Sequence, residues 1–411
     1  GSAFGLDAAS GAQAWLRERV RELPVGGFTV PIVPAAILFD LVVGASSIYA
    51  GSWLEGAGAI FAENEALRWI ADLAGLPPTA GGVFVTGGTG GNLSALIAAR
   101  WQWRRLSEGA NDRTRGLMIA STGAHSSVVQ AGRAMDVDVV SVPADDRGRL
   151  TLEALRRTVD GLSDDDLARL FAVIATAGTT NVGVVDDLAG VAEVASELDT
   201  WMHVDGAYGG AALAAPSARH LFDGIEHADS FIVDPHKWLF APFDSCALLY
   251  RDPQIARAAH TQHAAYLDVL HAEDPADEPW NPADYAHHLS RRARGLPLWF
   301  SLATHGTDAY RTAVETTLQV TRDAARLVDE APHTELVLEP ELSVVLFRRL
   351  GWSAGDYQAW SDAELMAGRS FVVPTTWNGE VLLRLCIVDP LTGIDDITTI
   401  LDSLAPERIT P

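Results

Sequence analysis

The sequence contains a single lysine, Lys237, although it carries 30 basic residues. Arginine can replace lysine wherever only a positive charge or a salt bridge is needed, but its guanidinium stays protonated and cannot attack a carbonyl. A strong preference for arginine could have left one surface lysine by chance. The apolar stretch "SFIV", however, which precedes "DPHKW", is typical of a buried strand. Lys237 is therefore a candidate covalent nucleophile that forms a Schiff base.

The chain is also poor in cysteine, in long apolar runs and in positive charge. Two cysteines, Cys246 and Cys386, cannot form a framework of disulfides, so a reducing cytoplasm is expected. No apolar run reaches the length of a membrane span, and the first residues lack the basic and apolar segments of a secretory signal. The net charge of −24 argues against nucleic acid and anionic membranes as partners.

Short apolar strands alternate with helical periods between about residues 82 and 250. The strands are carried by the segments "GVFVTGG", "GLMIAS", "VDVVSVP", "LFAVIATAG", "WMHVDGAYGG", "DSFIVDP" and "CALLYRD". Strands that helices separate predict a largely parallel sheet covered on both faces. Such a sheet binds ligands at the carboxyl ends of its strands.

The pattern changes after the polar segment "HAEDPADEPWNPADY". A long helical region over 296–331 is followed by the run "TELVLEPELSVVLFRRL", a helix around 354–367 and the strand "EVLLRLCIV". This order predicts a smaller α+β domain. With 411 residues, of which 48% are hydrophobic, the chain is long enough for two domains with large cores.

Several strand ends carry glycine or polar residues. The turn "TGGTGGN", residues 86–92, precedes a helix, and its glycines allow backbone N–H groups to approach a phosphate. It matches neither the nucleoside-triphosphate loop nor the dinucleotide fingerprint. His125 is a cap or core residue by default, but its ring could stack on an aromatic group. Thr179, Thr180 and Asp205 end two further strands, and a buried carboxylate needs a cation or a donor.

A phosphate cradle, a flat ring, a buried carboxylate and an amine that can lose its proton thus lie at strand ends of one predicted sheet. Pyridoxal phosphate requires this set: an anchored phosphate, a Schiff-base lysine, and an acid that keeps the pyridine nitrogen protonated. Each feature alone is ambiguous. Their joint occurrence in this order predicts pyridoxal 5'-phosphate as the cofactor.

These motifs resemble those of the group II pyridoxal-phosphate-dependent amino acid decarboxylases, which include the aromatic-amino-acid, glutamate and diaminobutyrate decarboxylases. The resemblance covers about residues 46–404. It is carried by the segments "IYAGSWLEGAGAIFAENEALRWIADLAGLP", "TGGTGGNLSALIAAR", "GAHSSVVQAGRAM", "ATAGTTNVGVVDDL", "HVDGAYGGAAL", "DSFIVDPHKW" and "SRRARGLPLWFSLATHG". Asp205 and Lys237 are also 32 positions apart, as in the family.

The resemblance implies a fold-type-I pyridoxal-phosphate enzyme, an α/β fold similar to that of aspartate aminotransferase. A large cofactor-binding domain, 45–295, would contain a mainly parallel sheet of the seven-stranded type. A small C-terminal α+β domain, 296–411, would follow it. The family also implies a homodimer that acts on a small-molecule amino acid substrate.

The resemblance further implies how the cofactor is held. Lys237 would bind it as a Schiff base, and Asp205 would pair with the pyridinium nitrogen. His125 would stack on one face of the ring and Ala207 would pack on the other. Thr180 would lie near the substituents of the ring.

The phosphate would be bound by Gly88 and Thr89. His236 would lie by the phosphate or by the substrate carboxylate. Asp234 occupies a phosphate-contacting position at which the family usually has asparagine, although aspartate also occurs there. The family's mobile loop carries a tyrosine that protonates the carbanion in the partner subunit, and Tyr285 in "NPADYAHHLSRR" matches it best. Its distance to the "RR" pair is shorter than in the animal enzymes.

Residues 1–44 fall outside this resemblance. They resemble an internal fragment of the L-aminopeptidase/D-esterase family without its nucleophilic serine, so no peptidase activity is implied. In the decarboxylases this region contains an arm that swaps across the dimer and a turn that lines the substrate pocket. We therefore expect a foreign N-terminal segment over 1–44, a weaker dimer and slow turnover.

The remaining polar candidates have structural explanations. The histidines of "HTQH" and "HH", together with His271, surround a polar segment without a cysteine or carboxylate motif, so we expect solvated loop residues and no metal. Arg384 in "LLRLCIV" could bind a substrate carboxylate or form a structural pair.

The sequence therefore predicts a carboxy-lyase that converts an L-amino acid to its amine and carbon dioxide. An aldehyde synthase or an aminotransferase on the same cofactor is an alternative, and the product distinguishes them. A further alternative is a chain that binds the cofactor but is catalytically impaired because the family's N-terminal arm is absent. The residues do not identify the amino acid.

Overall fold

The computed structural model describes residues 33–107, 114–263, 270 and 279–406. Its strands, β1 to β11 in chain order, span Gly81–Val85, Leu117–Ser121, Asp138–Val142, Leu170–Thr176, Trp201–Asp205, Ser230–Val233, Cys246–Tyr250, Thr334–Leu338, Val344–Arg349, Thr375–Trp377 and Glu380–Cys386. Its α-helices, α1 to α13 in chain order, span Pro34–Ser46, Trp53–Leu73, Gly88–Leu106, Ser126–Met135, Leu152–Asp160, Asp164–Arg169, Leu188–Glu197, Pro235–Trp238, Pro253–His260, Leu296–His305, Thr307–Glu330, Ala354–Met366 and Ile394–Ser403.

The larger sheet contains seven strands in the order β1-β7-β6-β5-β4-β2-β3. Strands β6, β5, β4, β2 and β3 are parallel to one another, whereas β7 is antiparallel to both β6 and β1. Every residue of β2, β4, β5 and β7 is buried, because helices cover both faces of the sheet. The predicted mainly parallel sheet of the seven-stranded type is confirmed.

Two apolar clusters cover the two faces of this sheet. On one face, Leu96 of α3 and Val128 of α4 pack in one cluster with Met118 of β2. On the other face, Ile70 of α2 packs in a second cluster with Ile119, the next residue of β2. Successive residues of the strand thus point to opposite faces. Because helices cover both faces of the sheet, the loops after the parallel strands converge at the carboxyl ends of these strands.

The smaller sheet contains four antiparallel strands in the order β10-β11-β9-β8. Its core combines Phe347 of β9 and Leu383 of β11 with Trp360 of α12 and Leu401 of α13. The helix that the sequence predicts around 354–367 is α12. The predicted small α+β domain is therefore present.

The helical region predicted over 296–331 consists of two helices rather than one. Helix α10 ends before Gly306, whose φ of 77° lies in the left-handed region that favours glycine, and α11 follows directly. In α11, Val314 packs in the core of the large sheet, whereas Val328 packs in the core of the small sheet. The division after residue 295 stays a prediction, and this packing favours a division within α11.

Helix α1 lies within the segment that we expect to be foreign. Its Phe39 ring stacks on Phe300 of α10, with ring centroids 4.2 Å apart, and its Asp40 forms an ion pair with Arg292. These contacts join α1 to the rest of the chain. Residues 1–32 of the predicted segment lie outside the described residues.

The two longest α-helices, α2 with 21 residues and α11 with 24, both carry charged side chains. Within the described ranges, no helix combines the length and the apolar character that crossing a membrane requires.

Candidate active site

A cavity of about 340 Å³ lies at the carboxyl ends of the strands of the large sheet. A mainly parallel sheet is expected to bind its ligand at this edge. The residues that line the cavity include every cofactor-binding residue predicted from the sequence: Gly88, Thr89, His125, Thr180, Asp205, Ala207, Asp234, His236 and Lys237. The fold therefore brings these residues together around one space.

The glycine-rich turn lies at the amino terminus of α3, which begins at Gly88. The first N–H groups of a helix have no partner within the helix and favour an anion. A Cβ atom at Gly88 would lie 3.1 Å from Cβ of Ala207 and 3.3 Å from Oδ2 of Asp234. Any side chain here would narrow the cavity, so glycine keeps the helix terminus open to a phosphate group.

Lys237 enters the cavity from α8, directly after the end of β6. Its Nζ atom lies 2.9 Å from Oδ2 of Asp234, which is buried. Burial lowers the pKa of Lys237, but the charge and the hydrogen bond of Asp234, together with the charge of Asp205, outweigh this effect and raise the pKa. The amine is therefore held as an ammonium group beside two carboxylates.

Asp205 ends β5, and its side chain is only 4% exposed. Its Oδ1 atom accepts a hydrogen bond from the backbone N–H of Ala207 at 3.1 Å. Its Oδ2 atom accepts one from Nδ2 of Asn92 at 2.8 Å. These donors stabilise a buried carboxylate. The carboxylate can still accept a further hydrogen bond from a ligand.

His125 is both the cap of α4 and a wall of the cavity. Its Nδ1 atom accepts a hydrogen bond from the backbone N–H of Ser127 at 3.2 Å and lies 2.8 Å from Oγ of the same residue. These two contacts fix the ring at the N-terminus of the helix. The sequence leaves a cap and a stacking ring as alternatives for His125, and the geometry is compatible with both.

His236 is buried next to the glycine-rich turn. Its Nδ1 atom accepts a hydrogen bond from the backbone N–H of Ser245 at 3.0 Å. Its Nε2 atom lies 3.6 Å from Oδ2 of Asp234. Burial lowers the pKa of His236, against the opposing charge of Asp234. The ring is thus a neutral group near the helix terminus at which a phosphate would bind.

The two threonines after β4 differ in their surroundings. Thr179 is buried, and its Oγ1 atom accepts a hydrogen bond from the backbone N–H of Val184 at 3.3 Å. Thr180 is exposed and lines the cavity. Thr179 therefore shapes the turn, and Thr180 is the threonine that can contact a ligand.

Tyr285 does not line this cavity. Its side chain is 3% exposed, stacks on Trp280 with ring centroids 4.2 Å apart and belongs to the core cluster that contains Leu96. Its backbone carbonyl accepts a hydrogen bond from the hydroxyl of Tyr250 at 3.1 Å. A side chain packed in this way is not presented on an exposed loop. Its position contradicts the prediction that Tyr285 reaches out to protonate the substrate.

The prediction that the remaining histidines are solvated fails for two of them. His260 is buried, with Nε2 3.0 Å from the carbonyl oxygen of Ser94, and Nε2 of His288 lies 3.2 Å from the carbonyl oxygen of Pro282. Burial lowers the pKa of each to about 4. His271 lies outside the described residues. In the part of the chain that the structure describes, no group of histidine, cysteine or acidic residues could hold a metal ion.

Sequence reasoning missed several residues of the cavity, among them Asn92, Ser127, Tyr208 and Phe243. Tyr208 stacks on Trp238, with ring centroids 5.3 Å apart. Phe243 is 56% exposed at the cavity. Asn92 and Tyr208 stand inside the quoted motifs "TGGTGGN" and "HVDGAYGG", but only their position in the fold distinguishes them from ordinary helix and turn residues.

These side chains fit pyridoxal phosphate. The amine of Lys237 suits its aldehyde, the buried Asp205 suits a protonated ring nitrogen, and the open helix terminus at Gly88 suits its phosphate. The fold and the site thus define a pyridoxal-phosphate-dependent enzyme built on a mainly parallel α/β sheet.

The chain belongs to the pyridoxal-dependent decarboxylase family, whose conserved domain matches residues 35–350. It is similar to the aromatic-L-amino-acid decarboxylase of Bacillus atrophaeus, at 28% identity over 89% of this chain and 76% of that protein. It is also similar to the L-2,4-diaminobutyrate decarboxylase of Rhizobium meliloti, at 32% identity over 91% of this chain and 75% of that protein. The predicted family is confirmed. The protein is a carboxy-lyase that decarboxylates an L-amino acid with pyridoxal phosphate.

Solved structures give the same result. The Oryza sativa TDC with PLP and tryptamine matches with a TM-score of 0.83 and 27% identity, over 91% of this chain and 81% of that one. The glutamate decarboxylase domain of the Vibrio parahaemolyticus diaminobutyrate-pyruvate transaminase and L-2,4-diaminobutyrate decarboxylase matches with a TM-score of 0.76 and 26% identity, over 91% and 78%. The predicted fold-type-I α/β architecture and the predicted cofactor are therefore confirmed.

The family match begins at residue 35, inside the segment 1–44 that we expected to be foreign. Nearly all of helix α1 therefore lies within the decarboxylase match. The resemblance of this segment to the L-aminopeptidase/D-esterase family is not supported.

Proposed function

We propose that the chain decarboxylates an aromatic L-amino acid in the cavity at the carboxyl ends of the large sheet. The observation that carries this proposal is the convergence of Lys237, Asp205 and the amino terminus of α3 on one space. When bound, pyridoxal phosphate accepts the electron pair that remains on the substrate when its carboxylate leaves as carbon dioxide.

In this proposal the chain supplies binding, orientation and charge. Lys237 would hold the cofactor through its aldehyde group, and Asp205 would keep the proton on the ring nitrogen. The helix terminus at Gly88 and Thr89 would bind the phosphate, with His236 beside it. His125 and Ala207 would contact the two faces of the ring, and Thr180 would lie near its substituents.

The aromatic preference is supported by the walls of the site. The cavity adjoins a second one of about 260 Å³, and His125 and Thr180 line both. Tyr208 and Phe243 line the first cavity, and Trp377 of β10 lines the second. These rings offer an apolar surface for a flat substrate side chain.

The charges around the two cavities favour an uncharged side chain. Among the described lining residues, the only carboxylates are Asp205 and Asp234. Asp205 is engaged by Asn92 and Asp234 by Lys237. A substrate with a side-chain ammonium, such as diaminobutyrate, would lack an anionic partner here, and an unpaired buried charge is costly.

Arg384 of β11 is the proposed partner of the substrate carboxylate. Its Nε atom is buried and makes no hydrogen bond in the structure. Burial raises the pKa of Cys386, and the charges of Arg384 and Lys237 and a hydrogen bond with Arg384 oppose this effect. A guanidinium can bind a carboxylate through two hydrogen bonds and orient it before it leaves.

A homodimer is proposed from the exposed apolar side chains of α1 and α2. Leu38 and Leu41 of α1 are 41% and 65% exposed, and Leu54 and Phe61 of α2 are 69% and 57% exposed. Apolar side chains concentrated on two helices are typical of a protein interface. Sedimentation of the cofactor-loaded protein tests the dimer, and a monomer at all concentrations would contradict it.

A reducing setting such as the cytoplasm is proposed because Cys246 and Cys386 are both unpaired. Thiol titration of freshly isolated protein tests this, and two free thiols per chain are expected.

The test of the function is a product screen. Purified, cofactor-loaded protein is incubated with aromatic L-amino acids and, separately, with L-2,4-diaminobutyrate, and the products are identified by mass spectrometry. We expect the amine of an aromatic substrate. An aldehyde or a keto acid would instead identify an aldehyde synthase or an aminotransferase. Turnover of diaminobutyrate alone would contradict the aromatic preference, and bound cofactor without any product would identify an impaired enzyme.

A further inference from the structure

A chain of buried hydrogen bonds runs from the start of β5 to the carboxylate at its end. Nε1 of Trp201 donates to Oγ of Ser230 at 2.8 Å, and this oxygen lies 2.7 Å from Nδ1 of His203. Nε2 of His203 lies 2.8 Å from Oδ1 of Asn92. Nδ2 of Asn92 then donates to Asp205. All of these side chains are buried, so water cannot replace a lost partner.

The chain has a branch at Asn92. Its Nδ2 atom also donates to Oγ of Ser127 at 2.9 Å. The hydroxyl of Ser127 lies 2.8 Å from Nδ1 of His125. One amide group thus contacts Asp205 directly and reaches His125 through a single hydroxyl.

The chemistry of the groups fixes the direction of these bonds. An ionised Asp205 can only accept, so the atom of Asn92 beside it is the NH2 group. The remaining atom of the amide is its oxygen, which can only accept, so His203 must donate from Nε2. The two hydrogens of the NH2 group are used by Asp205 and Ser127. Ser127 is then free to donate its own proton to His125.

The state of His203 agrees with this assignment. Burial lowers its pKa to about 4, against the opposing charge of Asp205. At neutral pH the ring is therefore neutral and carries one proton, on Nε2. Its Nδ1 atom accepts from the hydroxyl of Ser230, which in turn accepts from Trp201. Every bond of the chain thus has one possible direction.

This arrangement restrains the carboxylate of Asp205. One oxygen is held by Asn92 and the other by the backbone N–H of Ala207. If His203 stopped donating, the amide of Asn92 could turn over and present its oxygen to Asp205. Two oxygens would then face each other, and the carboxylate would rotate or shift.

We propose that His203 and Asn92 are positioning residues for the decarboxylation. His203 holds the amide of Asn92 in one orientation, and Asn92 holds Asp205 toward the ring nitrogen of the cofactor. Through Ser127, the same amide also orients His125 at the cavity. This inference rests on the proposed function, because it requires that Asp205 acts on the ring nitrogen.

The test compares His203→Leu with His203→Gln. Leucine fills much of the space but cannot donate, whereas the amide nitrogen of glutamine can occupy the place of Nε2 and donate to Asn92. Each protein is loaded with pyridoxal phosphate labelled with nitrogen-15 in the ring. The chemical shift of that nitrogen reports whether it is protonated, independently of turnover. Covalent loading, kcat and KM are measured on the same samples.

We expect His203→Leu to load the cofactor on Lys237 as the parent does. The chemical shift of the ring nitrogen should move toward the value of an unprotonated ring. The kcat should fall by about tenfold to a hundredfold with KM nearly unchanged, because the buried amide oxygen of Asn92 loses its hydrogen-bond donor. His203→Gln should restore most of both properties. The positioning role would be overturned if His203→Leu kept the chemical shift and the kcat of the parent. It would also be overturned if both variants were equally impaired, because the packing of His203 would then explain its effect.

A reference variant separates this inference from the function on which it rests. Asp205→Asn should move the ring nitrogen fully toward the neutral value. If it does not, the proposed role of Asp205 is wrong, whatever His203 does. If it does and His203→Leu leaves the shift unchanged, only the positioning inference is wrong.

A measurement on the parent protein covers the case in which a variant does not fold. Nitrogen-15 spectra of histidine-labelled holoenzyme report the tautomer of His203, whose signal is assigned by its absence in His203→Gln or by its contact to Ser230. We expect a neutral ring with the proton on Nε2 between pH 6 and 8. A proton on Nδ1, or a charged ring in this range, would overturn the proposal.

Discussion

The amine nitrogen of Lys237 lies 2.9 Å from Oδ2 of Asp234, a buried carboxylate that directly follows strand β6. The same oxygen lies 3.6 Å from Nε2 of His236 and 3.3 Å from where a Cβ of Gly88 would be. One carboxylate thus contacts the reactive amine and adjoins the amino terminus of α3, where we propose that the phosphate binds. Before the cofactor binds, it holds the amine in its protonated form, which cannot attack an aldehyde.

Asp234→Asn should therefore speed the capture of pyridoxal phosphate by cofactor-free protein at pH 7. Removing the negative charge lowers the pKa of Lys237, and the fraction of neutral amine rises about tenfold for each pKa unit. In the parent, the raised pKa means that capture should become faster as the pH rises. The growth of the visible absorbance after mixing measures both rates.

The matched control is Asp329→Asn, which removes one exposed carboxylate from α11. It changes the net charge equally and should leave the capture rate unchanged. Equal rates in Asp234→Asn and the parent at pH 7 would show that the ion pair does not limit capture.

Asp205→Asn should lower kcat by at least about a hundredfold, because the ring nitrogen loses the charge that keeps it protonated. Asparagine retains an oxygen that can accept a hydrogen bond, so the fold should persist, as circular dichroism can verify. Asp252→Asn is a suitable control, since Asp252 caps α9 and asparagine caps equally well. Parental turnover in Asp205→Asn would make this carboxylate a purely structural group.

The buried imidazole of His260 should make the protein sensitive to acid. Its pKa falls from 6.5 to about 4 on folding, so its contribution to stability is present above pH 6.5 and is lost as the pH falls toward 4. His260→Gln keeps a donor for the carbonyl of Ser94 but cannot titrate. The free energy of unfolding of the parent should fall between pH 7 and pH 5. In His260→Gln this fall should be smaller by about 2 kcal/mol.

Urea unfolding at several pH values measures this difference. His305→Gln, at an exposed position at the end of α10, is the control and should follow the parent. The same pH dependence in His260→Gln and the parent would mean that His260 is not a buried neutral group.

The N-terminal segment can be tested by two deletions. Every proposed cofactor contact lies between Gly88 and Lys237, so neither deletion should prevent cofactor capture. Removal of residues 1–32 keeps helix α1, whereas removal of residues 1–44 also strips the apolar contacts of α1 from α10. We expect the shorter deletion to behave like the parent and the longer one to lose solubility. Loss of cofactor binding in a folded, soluble deletion variant would assign this segment a role in the site.

The convergence of the proposed cofactor-binding residues on one cavity could be predicted from the sequence, because they follow strands of a mainly parallel sheet. Residues as distant as Gly88 and Lys237 then converge at one edge, whatever their separation along the chain. The direction of β7, which is antiparallel to both neighbours, was not predicted, since an apolar run carries no sign of its direction. The sequence does not predict the break at Gly306, because apolar periodicity continues on both sides of it.

The hydrogen-bond chain behind Asp205 could not be predicted. Asn92 is 113 positions from Asp205 and 111 from His203, and in the sequence it is one more polar residue in a helix. The error over Tyr285 has a related cause. Its distance from the "RR" pair gives its place along the segment but not the direction of its side chain, which turns into the core beside Trp280.

The central claim is that Lys237 carries the cofactor for a decarboxylation. The most direct measurement is the amount of carbon dioxide and of amine formed from an aromatic L-amino acid by the loaded parent and by Lys237→Arg. Arginine keeps a positive charge beside Asp234 but cannot bond to the aldehyde. We predict equal amounts of carbon dioxide and amine from the parent and neither from the folded variant. Sustained production of both by Lys237→Arg would contradict the account.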